Sequence, residues 1–162
     1  MKLLLFDVVC AGCDHTFKSP DIAPNAYGEF LLRSGVPGET RYLNALQDRA
    51  YMEVETLLRA EARFAELASV PRAKLLHEVF GPAACDPDAS GAPLHIGLHE
   101  PCPACGSQQR RSWDASSPVQ FVEVDVAVVS HAAWSGLSNA QKSARVREAT
   151  ARRLAESQLP GI

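Results

Sequence analysis

Two short stretches constrain this chain more than anything else in it: Cys10-Ala-Gly-Cys13 and Cys102-Pro-Ala-Cys105. Each is a CxxC pair. A CxxC turn sets two sulfurs on one side of a metal ion, and two such turns supply the four soft ligands of a closed tetrahedral zinc site. Cys10, Cys13, Cys102 and Cys105 are therefore the candidate ligands of one structural Zn2+. Because 88 residues lie between Cys13 and Cys102, a single site requires the start of the chain to meet its second half. Such a turn bends the backbone until amides face the sulfurs, which favours residues that tolerate left-handed geometry near the second cysteine. Gly106 follows Cys105, Asp14 follows Cys13, and Gly12 lies inside the first pair. His15 and His99 flank the turns, where either could replace a cysteine ligand or donate a hydrogen bond to a thiolate.

The totals bound the remaining possibilities. With 162 residues, 46% apolar and 22% charged, the chain has ordinary globular composition and enough length for one domain with a core. Its formal net charge is -3, and four thiolates around one dication add about -2 more. That balance argues against a general nucleic-acid binder. The charge is uneven, at +2 over residues 106–162 and -5 over residues 1–105. Arg110, Arg111 and Trp113, with Arg145, Arg147, Arg152 and Arg153, are the candidate contacts to a nucleic acid or a partner. No apolar run is long enough to span a bilayer, so no membrane partner is expected. Asp7 interrupts the opening apolar run and no cleavage site follows, so a secretion signal is not expected either. Paired cysteines without an export signal point to metal in a reducing compartment, the cytoplasm, rather than to disulfides.

The stretch Phe6-Asp-Val-Val-Cys10-Ala-Gly-Cys13-Asp-His15-Thr-Phe17 resembles the first half of the small bacterial zinc ribbons of the FmdB-type regulatory family. Pro101-Cys102-Pro-Ala-Cys105-Gly-Ser107, followed by Arg110-Arg111, resembles their second half. The likeness covers about thirty residues. It departs from the family in the length between the halves, normally some twenty residues, and in Asp14, where a glycine is usual. The resemblance implies that the four cysteines bind zinc. It implies little about role, because ribbon turns of this kind serve many proteins.

Local pattern predicts strands over residues 2–9 and 15–18, forming a hairpin around the first CxxC. A short helix is expected over 26–34, between Asn25 as cap and Gly35 as stop. Apolar residues at steps of three and four predict a long helix over 40–68. A second helix starts at Ser69 and is expected to end at Gly81-Pro82. Strands are expected over 94–99, 110–113 and 119–129, the last alternating valine with Glu123 and Asp125. Ser138-Asn-Ala-Gln141 is a capping box opening a final helix to about residue 157, with Trp134 docking it.

Weaker constellations compete for the same residues. Cys102-Pro-Ala-Cys105 as a glutaredoxin-like dithiol needs a helix directly after the first cysteine, and Gly106 with the polar run behind it opposes that. A zinc deaminase signature needs a glutamate upstream, and Cys85-Asp-Pro-Asp88 lacks it. Residues 86–91 begin like a calcium loop, but Gly97 stands where the bidentate glutamate belongs. Cys85 by itself reads as a buried inert thiol.

The expected architecture is a single α+β domain over residues 1–162. Residues 1–20 and 94–117 form the two halves of a zinc ribbon with its CxxC turns on β-hairpins. Residues 21–93 form a mainly helical insertion, and 118–162 a strand plus a C-terminal helix. The favoured role is non-catalytic: a structural zinc site supporting regulatory binding to another macromolecule, most readily a protein. The alternatives are a nucleic-acid-binding regulator using the arginine-rich C-terminal part, and a thiol-redox or zinc-dependent enzyme.

Overall fold

The spine of the molecule is its first strand, β1 (Lys2–Cys10), in which Leu4, Phe6, Val8 and Cys10 turn to a buried face while Leu5, Asp7 and Val9 are half-exposed. This is the period-2 pattern of a strand with one wet side. The structure, a computed structural model, describes residues 1–158. After β1 come β2 (Thr16–Asp21), β3 (Glu29–Arg33), β4 (Thr40–Asn44), α1 (Arg49–Arg59), α2 (Ala62–Ala65) and α3 (Ser69–Ala84). The second half contributes β5 (His95–Ile96), β6 (Arg110–Ala115), β7 (Phe121–Glu123), α4 (Ala132–Ser135) and α5 (Asn139–Gln158). The fold is mixed α+β with two antiparallel sheets.

In the first sheet, β2 returns along one edge of β1, with Phe17 opposite Val8. β6 and β7 lie end to end along the other edge, placing Arg110 opposite Cys10 and Val122 opposite Leu3. A bulge between Val9 and Cys10 shifts the register just before the first cysteine, as bulges near functional sites commonly do. The second sheet has the order β4-β3-β5. Helices α1, α3 and α5 pack with it around the larger core, which includes Leu32, Leu43, Val54, Phe80, Trp134 and Val146. A smaller core of Leu4, Phe6 and Val8 with Phe17 and Ala23 belongs to the first sheet.

Arg33 joins the two sheets. It is buried, and from β3 its guanidinium donates to the Pro20 carbonyl (3.0 Å), the Leu98 carbonyl (3.1 Å) and Asp21 Oδ2 (3.3 Å). A second joint is the chain after β7. Val124 still pairs with Met1, but at residues 127–129 the backbone bonds Tyr42 of β4 instead.

Several local expectations are corrected. Residues 26–34 hold β3 rather than a helix, paired with β4 so that Phe30 faces Leu43. Leu31, Leu32 and Arg33 are buried in succession, and a short strand covered on both faces loses the alternation that would mark it. The helix expected over 40–68 is β4, then α1, then the single turn α2. Asp48 starts α1 by accepting the Tyr51 amide at 2.8 Å, which leaves Thr40-Arg-Tyr-Leu-Asn to the sheet. The stretch 21–93 therefore carries a β-hairpin as well as helices. The strand expected over 94–99 is confined to His95–Ile96, and that over 119–129 to Phe121–Glu123, beyond which the backbone crosses to Tyr42 of β4. The capping box is present, with Ser138 Oγ and Gln141 Oε1 bonding reciprocally to the two backbone amides.

Helix α3 continues through Pro82 to Ala84 instead of stopping at Gly81. A proline in the last turn forfeits one hydrogen bond, and the burial of Gly81, Ala83 and Ala84 holds the turn in place. Gly81 is required by a close approach: a Cβ there would lie 1.9 Å from the Leu94 carbonyl oxygen. Gly81→Ala is expected to destabilise the fold by about 3 kcal/mol, the upper end for overpacked sites, because the obstacle is backbone. Gly35→Ala, where a Cβ meets nothing within 4 Å, is expected to change stability by less than about 0.5 kcal/mol. Urea unfolding of the two variants checks this.

His131 ties three elements together. Its Nδ1 lies 2.7 Å from the Ala84 carbonyl and its Nε2 3.0 Å from Asp48 Oδ2. Both partners accept, so both ring nitrogens must carry a proton. Burial disfavours the charged ring, but the Asp48 carboxylate, the Ala84 carbonyl and Asp86 outweigh it and hold the pKa above its ordinary 6.5. A raised folded-state pKa contributes stability that is complete below the unfolded value and is lost as pH rises through the folded one. The melting temperature of the wild type should therefore exceed that of His131→Gln most at about pH 6, and the gap should narrow towards about pH 8.5. A gap independent of pH would show that the ring is neutral in the fold.

Candidate metal centre

The two CxxC turns repeat one backbone pattern. In the first, the Cys10 amide donates to the His15 carbonyl (3.0 Å) and the Asp14 amide donates back to Cys10 (3.1 Å). In the second, the Cys102 amide donates to Ser107 (2.8 Å) and the Gly106 amide donates back to Cys102 (2.8 Å). The residue after each second cysteine is left-handed, with φ of 58° at Asp14 and 73° at Gly106. Asp14 is the non-glycine residue that takes this geometry at least cost, and Arg111 Nη1 holds its carboxylate at 2.6 Å.

The register of β6 on β1 brings the turns face to face, helped by the Ala11 amide donating to Gln109 at 3.0 Å. A Cβ on Gly12 would stand 3.3 Å from Ser107 Cβ and 3.6 Å from Cys105 Sγ, so the first turn fits closely against the second. The sulfurs of Cys10, Cys13, Cys102 and Cys105 all lie within 4.8 Å of one another. Two pairs cross between turns at close range, Cys10 with Cys105 at 3.5 Å and Cys13 with Cys102 at 3.7 Å. These separations exceed a disulfide bond of about 2.05 Å by far, and all four thiols are free. Each turn contributes one buried sulfur, Cys10 or Cys102, and one exposed, Cys13 or Cys105.

The electrostatics show why such a cluster suits a cation. Burial works against the Cys10 thiolate, but the Gly12 amide, 3.3 Å from its sulfur, and the neighbouring thiols outweigh it and lower the pKa to about 7. At Cys13 the His15 amide favours the thiolate, but the Cys105 sulfur, burial and the other thiols push it up to about 12. One negative charge is welcome in the cluster and the next is opposed. A dication at the centre of the four sulfurs removes that opposition and lets all four ionise.

The remaining predicted residues separate into distinct places. The His15 ring stacks near Phe17 at 6.2 Å, and His99 faces Trp113 at 6.3 Å. Among the described residues neither ring bonds a sulfur. Trp113 stacks on Phe6 at 4.0 Å. The Arg110 guanidinium turns inward over Trp113 at 5.8 Å, its nitrogens enclosed, and burial lowers its pKa. Arg111 is exposed and engaged by Asp14. Arg145, Arg152 and Arg153 line one groove, and Arg110, Arg111 and Trp113 are not among its lining residues. Cys85 is buried, and burial raises its thiol pKa beyond the reactive range. Asp86 accepts the Ala132 and Ala133 amides, and one oxygen of Asp88 accepts three bonds from Ser90 and Ala92, so the loop carrying them is tied to the start of α4 and to itself.

Sequence reasoning did not find Arg33, whose only signal was a charge at the end of an apolar run, nor the role of Gly12 in the approach of the two turns. No protein-family model, no curated protein and no solved structure matches the chain.

Thiol reactivity should follow this geometry. In the metal-loaded chain, brief iodoacetamide treatment is expected to leave buried Cys85 untouched, and chelation, which removes the folded state with the metal, should open all five cysteines to it. Metal loading should protect all four cluster cysteines. Mass spectrometry of the labelled peptides reads both states, and labelling of Cys85 in the loaded chain would contradict it.

Proposed function

We propose that Cys10, Cys13, Cys102 and Cys105 hold one structural zinc ion in a ribbon-like clasp. The protein then acts by binding another protein, without catalysis at the metal. The observation that carries this reading is the convergence of four free thiols from two turns 88 residues apart in the chain. Zinc–sulfur bonds of about 2.3 Å make the edge of a tetrahedron about 3.8 Å. The cross-turn separations of 3.5 and 3.7 Å lie close to that edge. Four thiolates fill the coordination sphere and leave no open position for a substrate or a reactive water, which favours a structural ion. Soft thiolate sets also suit iron, so the identity of the metal is part of the test.

What supports a regulatory, partner-binding role is the rigid platform that the clasp would provide. It fixes the first sheet at one end, and Arg33 and the chain after β7 carry that rigidity to the helices. The basic residues fall in separate places, Arg110 over Trp113 and Arg145 with Arg152 along another groove, which favours a protein partner over one continuous stacking platform for nucleic acid.

Elemental analysis of protein purified without added metal should find about one zinc per chain, unchanged in Cys85→Ser and lost in Cys102→Ser. A strong chelator, or pH below about 5, should remove the metal and with it the cooperative melting transition, because protons compete for the thiolates. A metal-free protein with an unaltered melt would sink this reading, and iron in place of zinc would correct the ion.

A further inference from the structure

We propose that the cysteine clasp is an oxidation site: peroxide converts Cys10 with Cys105, and Cys13 with Cys102, into two disulfides that join the turns in place of the metal. This supplies a regulation of the zinc clasp proposed above and rests on that reading.

Each cross-turn pair couples an outer cysteine to an inner one. Cys13 and Cys105 are exposed, whereas Cys10 and Cys102 are 0% and 2% exposed. Cys105 has Cys10 at 3.5 Å, and Cys13 has Cys102 at 3.7 Å. Residues 11–16 and 103–106 are all exposed, so the outer side of the clasp is open to a small oxidant. An accessible thiolate with a second thiol in reach is the arrangement of a redox-sensitive cysteine and its resolving partner. Here it occurs twice. Each turn supplies the outer cysteine of one pair and the inner cysteine of the other, so both bonds tie turn to turn. The backbone keeps the pairs opposed: the Ala11 amide is bonded to Gln109, and β1 and β6 are paired beside the cluster. From the observed separations the sulfurs close by only about 1.5 Å to reach a disulfide length of about 2.05 Å.

The chemistry needs one peroxide per pair. Metal binding slows attack at these sulfurs but keeps them as thiolates, the form that peroxide oxidises. The Cys105 thiolate attacks a peroxide oxygen, the O–O bond breaks, and hydroxide leaves a sulfenic acid on Cys105. The Cys10 thiolate attacks that sulfur, the S–O bond breaks, and a second hydroxide leaves. Two thiolates and one peroxide thus give one disulfide and two hydroxides, the sulfurs losing the two electrons that peroxide gains. Cys13 and Cys102 repeat the sequence with a second peroxide. A disulfide sulfur is no longer a thiolate ligand, so the metal departs as the bonds form. Cross-turn bonds have a consequence that bonds within a turn lack. A Cys10–Cys13 bond would close a small ring and leave the turns unlinked. A Cys13–Cys102 bond closes a loop with 88 residues between its ends, and restricting so long a loop in the unfolded chain stabilises the fold. The oxidised chain therefore keeps its clasp shut without metal.

The test uses the full-length, zinc-loaded chain and hydrogen peroxide, with a chelating dye to report released metal. About two equivalents of peroxide should release about one zinc per chain, and a thiol reductant with added zinc should restore the loaded form. A tryptic digest without reduction should then join residues 3–18 to residues 75–110. Fragmentation should place the bonds at Cys10–Cys105 and Cys13–Cys102 and leave Cys85 as a thiol. The oxidised, metal-free chain should keep a cooperative melt that the chelated, reduced chain loses. Zinc retained under a large excess of peroxide, bonds within a turn, or sulfinic acids without disulfides each overturn the proposal. So does loss of the melt in the oxidised chain. Metal content measured before oxidation separates the two readings. A chain with one zinc that resists peroxide overturns the oxidation site and leaves the zinc clasp standing; a metal-free chain that forms both cross-turn bonds does the reverse.

Discussion

Everything in this fold depends on the meeting of two turns that the chain keeps 88 residues apart. The entropy of closing a loop grows only with the logarithm of its length. Lengthening the connection from about twenty residues to 88 costs about 1.3 kcal/mol more, whereas a structural zinc site contributes on the order of 10 kcal/mol or more. A long insertion is therefore compatible with the clasp, provided the insertion buries its own apolar residues. It does: β3, β4, α1 and α3 contribute most of the larger core, and the cysteines contribute none of its contacts except the unrelated Cys85.

The unequal cores explain where the polar ties sit. Leu4, Phe6 and Val8 with two half-buried neighbours are too few to hold a sheet by themselves. The first sheet is secured at one end by the cysteine cluster and on its buried face by Arg33. That arginine is enclosed, and its bonds to two carbonyls and to Asp21 satisfy most of its donors. Removing it would leave Asp21 and two carbonyls buried without their partner, so its contribution is chiefly to fix how the sheets sit against one another.

The legible parts of the sequence were those whose signal is local. The CxxC spacing, the β-prone run of β1, the capping box at Ser138 and the helix from Ser69 each state their structure within a few residues. The illegible parts depended on what lies opposite. Tyr27, Phe30 and Leu31 read as one helical face because β3, a strand covered on both faces, has no alternation to show. Leu43 and Leu46 fell in step with α1 by coincidence of spacing, although Leu43 belongs to β4 and Leu46 is exposed. Arg110 and Trp113 read as contacts to a partner, and what the sequence does not show is that the register of β6 on β1 turns the guanidinium inward and stacks the exposed Trp113 ring on Phe6. The site itself was legible in its ligands and not in its supports.

The stretch that leaves β7 has a consequence for cooperativity. Between Phe121 and His131 the backbone bonds Met1 just before β1, Tyr42 of β4 and Asp86 just past α3, and the His131 ring then reaches the cap of α1. A segment that belongs to both sheets and to the helix layer cannot be released from one while the others stay whole. The cluster of thiols and the helical body, which have separate cores, are thus fused into one melting unit by a strap with only three residues in regular strand.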